Sequence, residues 1–174
     1  MATYDFGPPA NSLLAEPRKQ AMAIEVRAPL WFDSMGIDYR LAYADTTRLR
    51  EYARARWAGP PAQLIQQRLM QQLALSMAGQ GQARCLLRVE IAEFSQVFST
   101  PDSSKGVLKG RAQLFDRSRR LLAELDLNLA QSASSQDAAG AVSALAVTVA
   151  QLAINLQAWE SVLVKTGKAG SCSA

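Results

Sequence analysis

The chain has 174 residues, a length that favours one domain. Apolar residues make up 49% of it and charged residues 20%, as in a folded globular domain, which excludes a chain disordered throughout. The net charge of +4 is too small to indicate a nucleic-acid-binding protein. Histidine is absent, so imidazole-ligated metals and the Ser-His and Cys-His nucleophile pairs are excluded as well.

The sequence contains no run of about 18 apolar residues, so we expect no segment to cross a bilayer. Residues 1–6 lack the basic and apolar regions of an export signal. Two compartments therefore stay open: the cytoplasm, or an extracytoplasmic space reached with a signal that precedes these residues.

Composition along the chain indicates one folded unit with two irregular ends. Glycine and proline are frequent within residues 1–20, which predicts an irregular lead-in. Residues 21–165 carry regular apolar patterns and form the predicted single αβ domain. The small polar residues of 166–174 predict a disordered tail.

In the first half of the domain, apolar and polar side chains alternate over residues 22–27 and 37–43, which predicts two strands. The segment 48–57 is ambiguous, because its composition favours a helix whereas its alternation favours a strand. We predict a strand there, paired as a hairpin with 37–43.

The second half begins with three consecutive strands, predicted over residues 84–98, 108–114 and 121–129. The apolar phase of the first strand switches at Ala92-Glu93, which predicts a β-bulge. The segment 100–106 is rich in turn residues and predicts the hairpin loop between the first two strands.

Two helices complete the predicted fold. The first follows Pro61, a favourable first helical residue, and is predicted over 61–78 with its end at Gly79-Gln80-Gly81. The second is predicted over 135–165 after the capping sequence Ser134-x-x-Asp137. Its apolar residues recur with a heptad spacing: Ala138, Val142, Leu145, Val149, Leu152, Leu156, Trp159 and Leu163.

Together these elements predict an α/β (α+β) fold, with a mixed sheet of five or six strands packed by two main helices. Strands outside the hairpins are expected to pair in parallel through the 61–78 crossover. The heptad stripe of the second helix has two interpretations. It packs on the protein's own sheet, or it forms a seam for oligomerisation or for a partner groove.

Charged and thiol side chains give few functional signals. Four arginines and a tyrosine share one parity over 48–57, a pattern that fits either a solvated edge or a surface for phosphates and lipid headgroups. Carboxylates such as Asp38 and Glu93 are expected to be solvated surface groups. We expect Cys85 to be a buried structural thiol and Cys172 to be exposed in the tail without a partner.

Several short segments resemble the ABC-type transport auxiliary lipoproteins of Gram-negative bacteria, which include the paraquat-inducible C-type lipoproteins. The segments are Tyr4-Asp5-Phe6-Gly7-Pro8, Tyr39-Arg40-Leu41-Ala42-Tyr43 with Asp45, Tyr52 with Arg56-Trp57, Pro60-Pro61, and Glu93-Phe94-Ser95-Gln96-Val97-Phe98. The last third of the chain resembles the family by pattern, as a hairpin strand followed by a long helix.

The resemblance implies a mixed αβ sandwich with no catalytic centre and no cofactor. It also implies a periplasmic protein anchored to the outer membrane by a lipid on a cysteine that precedes Met1. Its partner would be an ABC permease or a mammalian-cell-entry-domain protein of a system that moves phospholipids between membranes. Self-association stays open, and nucleic acid is not an expected partner.

We therefore predict a non-enzymatic auxiliary component that docks a mammalian-cell-entry-domain protein. The alternative is a carrier that holds a lipid or a small apolar ligand between the sheet and the helices. Aromatic residues and arginine commonly anchor protein interfaces. The candidate docking residues form an expected exposed cluster of Tyr39, Arg40, Tyr43, Tyr52, Arg56 and Trp57. For Tyr43 and Trp57 a position in the core stays open as the alternative.

Overall fold

The computed structural model describes residues 1–79 and 83–172. Within them the chain forms one sheet with two α-helices and two 3₁₀ turns, at Leu30–Phe32 and Gly170–Cys172. The elements in chain order are β1 (Ala2–Tyr4), β2 (Met22–Arg27), β3 (Gly36–Leu41), β4 (Arg50–Trp57), α1 (Pro61–Leu73), β5 (Ser76–Met77), β6 (Cys85–Thr100), β7 (Ser103–Phe115), β8 (Leu121–Ser132) and α2 (Ala138–Lys165).

The 16-residue strand β6 organises the sheet. On one side it pairs with β7 in antiparallel fashion, and β7 pairs with β8 in the same way. On its other side β6 pairs in parallel first with β2 and then with β3. The antiparallel β3–β4 hairpin continues the sheet, and β1 and β5 add parallel edges to β4 and β2.

The α+β class and the mixed sheet are therefore confirmed, with eight strands in the described part of the chain where the sequence predicts five or six. The additional strands β1 and β5 contain three and two residues, which is too short to produce an alternating pattern. The predicted bulge is present, because the β6–β7 register shifts between Ile91 and Glu93.

Helix α1 ends at Leu73, and the prediction of a helix to residue 78 is wrong. Ala74 takes a left-handed conformation with φ of 50°, and its N–H donates to the carbonyl of Met70. The next residues instead join the sheet as β5 beside β2, where they gain strand hydrogen bonds. The predicted stop at Gly79-Gln80-Gly81 lies partly outside the described residues.

Helix α2 is 28 residues long and packs along the sheet, which supports the first interpretation of its heptad stripe. Among the described residues it is the helix long and apolar enough to cross a bilayer, but its apolar stripe lies in the core. The sheet permits this close approach at Gly106, where an added Cβ would lie 2.8 Å from Ala144 and from the backbone of Leu145. The cap is Asp137, not Ser134: its carboxylate accepts the N–H of Gly140 at 2.9 Å.

The C-terminal segment corrects two predictions. Cys172 is buried and forms a disulfide with Cys85 across 87 residues of sequence, so neither cysteine is a free thiol. Residues 166–172 accordingly fold back on the domain, where a disordered tail is predicted. Ala169 and Cys172 belong to the main apolar core, which gives this short segment enough buried surface to be ordered.

The N-terminal lead-in is irregular beyond β1, as predicted, but it is fastened to both helices. The Arg68 guanidinium of α1 donates to the carbonyls of Phe6, Gly7 and Pro8. Arg18 forms a two-pronged ion pair with Glu160 of α2, with N–O distances of 2.5 and 3.0 Å. Leu13 hydrogen-bonds to both helices as well, and these contacts hold the segment over the helical layer.

Candidate functional site

The two faces of the sheet have different chemistry. On β7, Leu108 and Ala112 face the helices and are fully buried, whereas Lys109 and Arg111 point to the opposite side and are exposed. We call this opposite side the open face. It carries ion pairs between neighbouring strands, such as those from Arg111 to Glu90 and Glu124 at 3.3 Å.

Two of the candidate docking residues, Tyr39 and Tyr52, stack on each other with a ring-centroid distance of 4.5 Å. Tyr39 also contacts Phe98 edge-on at 6.0 Å. The Tyr52 hydroxyl donates to Oε1 of the fully buried Gln96 at 2.5 Å. Burial and the nearby Tyr39 raise the pKa of Tyr52 well above its usual range, so the hydroxyl stays a donor. These residues support the end of the sheet near the start of α2.

Trp57 is a core residue, not a surface residue. Only 1% of it is exposed, and its ring lies 5.3 Å from that of Phe6 and 5.8 Å from that of Phe94. Of the two positions open to Trp57 from the sequence, the structure shows the core one, so Trp57 is not available for docking. Its burial follows from the pairing of β1 with β4, which places Tyr4 beside Trp57 and brings Phe6 onto its ring.

The other three candidates have different surroundings. Arg40 forms a two-pronged ion pair with Glu93, with N–O distances of 2.6 and 3.2 Å. Tyr43 is exposed in the loop after β3, and Arg56 is exposed on β4. The structure therefore brings Tyr39 and Tyr52 into contact but does not unite the six residues into one surface.

The arginines of β4 do not form a single face either. Gly36 pairs with Arg56 and Asp38 pairs with Glu51, so a short stretch of β3 opposes a longer stretch of β4. This register shift breaks the strict alternation that the sequence predicts.

Asp38 lies beside this shift and is 6% exposed, which corrects its prediction as a solvated group. Burial, together with the negative charges of Glu51 and Glu93, raises the pKa of Asp38 to about 7, although Arg40 opposes the effect. No group of three or more acidic, cysteine or histidine side chains in the described residues is placed to hold a metal ion.

The open face carries a groove of about 630 Å³ next to the 3₁₀ turn that joins β2 to β3. Trp31 stands at its side with 66% of its surface exposed, and the neighbouring Leu30 is 85% exposed. The bulge residue Ala92 lies in the groove wall. The polar residues around the groove are Glu90, Lys109, Arg111, Asp126 and Asn128.

This groove is not predicted from the sequence. Its one signal is Leu30-Trp31-Phe32, three consecutive apolar residues directly after the proline that ends a strand. Phe32 is buried, so the turn is anchored by its third residue while the first two stay in solvent. Exposed large apolar side chains grouped in this way often mark an interaction surface.

Among the described residues, the side chains between the sheet and the helices pack closely. A void lined by Met22, Leu87, Leu156 and Trp159 has a volume of only about 10 Å³. This volume is close to the minimum for a single water molecule and far below that of an acyl chain.

Comparisons with known proteins agree with this fold. The family model for the ABC-type transport auxiliary lipoprotein component matches residues 4–156. The crystal structure of protein XCC0632 from Xanthomonas campestris, a member of the family DUF330, superposes with a TM-score of 0.80 at 18% identity. The match covers 96% of this chain and 98% of that one. An uncharacterised protein of known structure gives a TM-score of 0.70 at 15% identity, over 89% of this chain and 95% of its own. No curated protein matches the chain.

The family model thus places the chain in a class of protein, the auxiliary components of ABC-type transporters. The chain belongs to the ABC-type transport auxiliary lipoprotein family, as the resemblance in the sequence predicts. Membership indicates association with a transport system and a location in the cell envelope.

Proposed function

We propose that this chain is a non-enzymatic, periplasmic auxiliary component of an ABC-type transporter that moves lipids between membranes. In this proposal a lipid on an upstream cysteine anchors it to the outer membrane, and the open face docks a mammalian-cell-entry-domain partner. The observation that carries the proposal is the exposed Trp31 beside the groove, in a chain of the auxiliary lipoprotein family.

The disulfide supports the proposed compartment. A bond between Cys85 and Cys172 persists in the oxidising periplasm, whereas reducing systems in the cytoplasm keep such thiols apart. Of the two compartments that the sequence leaves open, the disulfide therefore favours the extracytoplasmic one.

The groove has the composition of a protein interface. Apolar and aromatic anchors commonly occupy the centre of an interface, and charged groups occupy its rim. Here Trp31 and Leu30 would supply the centre, and Lys109, Arg111 and Asp126 would supply a rim of mixed charge. The fitting partner surface is an apolar segment flanked by charges of both signs.

Co-purification with the mammalian-cell-entry-domain subunit tests this proposal. We expect the double variant Leu30→Ala/Trp31→Ala to lose the partner, because both side chains leave solvent on docking. The matched control is Tyr43→Ala/Arg56→Ala, which removes an aromatic residue and an arginine from the earlier set of candidates. If the control loses the partner and the groove variant keeps it, docking uses the β3–β4 end instead.

The core formed by the described residues does not favour the carrier alternative. A bound acyl chain needs a continuous apolar cavity, and the void between sheet and helices is about 10 Å³. Native mass spectrometry of the purified chain is expected to show the mass of the polypeptide alone. A retained lipid would restore the carrier alternative.

A further inference from the structure

A second concave site lies at the end of the sheet where β6 begins. It is a cleft of about 200 Å³ between the start of β6 and the turn that joins β7 to β8. Three arginines line it, Arg84 from the strand entry and Arg117 and Arg119 from the turn, whereas Asp116 is its one acidic residue. The cleft is thus strongly basic.

The Asp116 carboxylate already has partners within the turn that contains it. Oδ1 of Asp116 accepts the backbone N–H groups of Ser118 at 2.8 Å and Arg120 at 2.9 Å. Oδ2 of the same side chain pairs with the Arg120 guanidinium at 3.3 Å. Asp116 therefore shapes the turn and is not the partner of the three lining arginines.

Across residues 1–79 and 83–172, the side chains of Arg84, Arg117 and Arg119 make no hydrogen bond or ion pair. Two arginines on the neighbouring strands, by contrast, have partners. Arg88 contacts Glu25 and lies over the Phe115 ring at 4.8 Å, and Arg111 bridges two glutamates. The cleft is thus a place where positive charge is gathered without protein counter-charge.

The backbone conformation of Arg119 also supports a binding role for the cleft. Its φ is +65°, a left-handed conformation in which glycine or asparagine is usual and a long side chain is uncommon. A turn selected for stability alone would carry glycine at this position. An arginine at this position places a guanidinium group beside the cleft, and the cost is a strained backbone.

We propose that this cleft binds a phosphate group. The planar guanidinium fork matches two phosphate oxygens, and several forks around one cavity give a strong and oriented site. A volume of about 200 Å³ is below that of sites for drug-sized ligands, so it suits a headgroup-sized anion. The phosphate belongs either to a free phosphoester or to the headgroup of an anionic phospholipid.

Two binding measurements on the isolated full chain distinguish these sources. Calorimetry with sn-glycerol 3-phosphate probes the free anion, and flotation with phosphatidylglycerol or phosphatidylcholine vesicles probes the headgroup. Binding to glycerol phosphate alone identifies a solute site. If the protein also floats with phosphatidylglycerol vesicles but not with phosphatidylcholine vesicles, the cleft is a lipid headgroup site. Because no transport partner is present, the result is independent of the docking proposal.

We expect Arg84→Gln/Arg117→Gln to raise the dissociation constant about tenfold or more, since charge-assisted hydrogen bonds are lost. Arg119→Gly is the sharper variant: it should weaken binding while the melting temperature stays level or rises, because glycine relieves the strained φ. The matched control Arg48→Gln/Arg54→Gln removes the same charge from the β4 end of the sheet. Absence of binding to either probe overturns the site, as does equal loss in the control.

Discussion

The helix-covered face and the open face of the sheet come from the same strands, yet different forces hold their side chains. Side chains on the covered face, such as Trp57 and Leu108, are shielded from water and are held by close apolar packing. On the open face, pairs such as Arg111 with Glu90 remain in solvent, where they contribute little. The difference teaches that the stability of the fold rests mainly on the covered face, which leaves the open face available for the docking role proposed above.

The sharpest test of this separation compares two tryptophans. Trp57→Ala is expected to lower the free energy of unfolding by about 3–5 kcal/mol, because it leaves a cavity between Phe6 and Phe94. Trp31→Ala should change it by less than about 0.5 kcal/mol, because the ring is mostly in solvent. Chemical denaturation of both variants measures the contrast, and equal losses would show that the open face is structural.

The disulfide adds a covalent restraint to the covered side. Removing it with Cys85→Ala/Cys172→Ala should lower the free energy of unfolding by about 2–4 kcal/mol, because the bond closes a long loop. Denaturation of the wild type with and without a reductant provides the check. A wild type that is insensitive to reductant would mean that the C-terminal segment is held by packing alone.

The sequence predicts those parts of the fold whose pattern is local. Alternation within β6, β7 and β8 and the heptad rhythm of α2 are each set by which face of one element is buried. The phase switch at Ala92-Glu93 is also local and predicts the bulge. Pairings between distant segments leave no such pattern, so the parallel edge β1 and the Cys85–Cys172 bond are not predicted.

The candidate site is predicted less well, for a related reason. Exposure of an aromatic side chain depends on what the rest of the chain places over it. Trp57 is covered by the lead-in through Phe6, whereas Trp31 is left uncovered. The Tyr39–Tyr52 contact is the part that the sequence does anticipate, because the predicted hairpin brings those strands together.

Ion pairs test the same contrast between buried and exposed contacts, with smaller expected effects. The first is the Arg18–Glu160 pair, which holds the lead-in against α2. Arg18→Gln is expected to lower the free energy of unfolding by about 2–3 kcal/mol, because the Arg18 side chain is only 8% exposed and Glu160 loses its partner. The carbonyl of Leu73 loses a hydrogen bond as well. Limited proteolysis within residues 5–20 should accelerate in parallel, and an unchanged digestion rate would contradict this role.

Asp38 is a buried acidic residue, and the pH dependence of stability tests its role. Its pKa of about 7 in the folded state lies above that of an unfolded aspartate, about 4, so the folded chain keeps a proton that the unfolded chain releases. Stability should therefore fall as pH rises from about 4 through about 7, and it should become level only above the folded pKa. Between pH 5 and pH 7 the loss attributable to this group is about 2 kcal/mol.

Asp38→Asn removes this titration, so its urea midpoint should depend less on pH than that of the wild type. Glu51→Gln should have a partial effect in the same direction, because the charge of Glu51 contributes to the raised pKa of Asp38. Identical pH profiles for wild type and Asp38→Asn would show that Asp38 is not the group responsible.

The smallest effect is expected at Arg111, whose side chain is 48% exposed and bridges Glu90 and Glu124 at 3.3 Å. Arg111→Gln should cost less than about 1 kcal/mol, since solvent screens exposed pairs and both carboxylates can rehydrate. The loss should shrink further in high salt, whereas the loss from Arg18→Gln should persist because that pair is largely buried. If Arg111→Gln instead weakens partner capture while leaving stability intact, the open face is confirmed as a surface kept for binding.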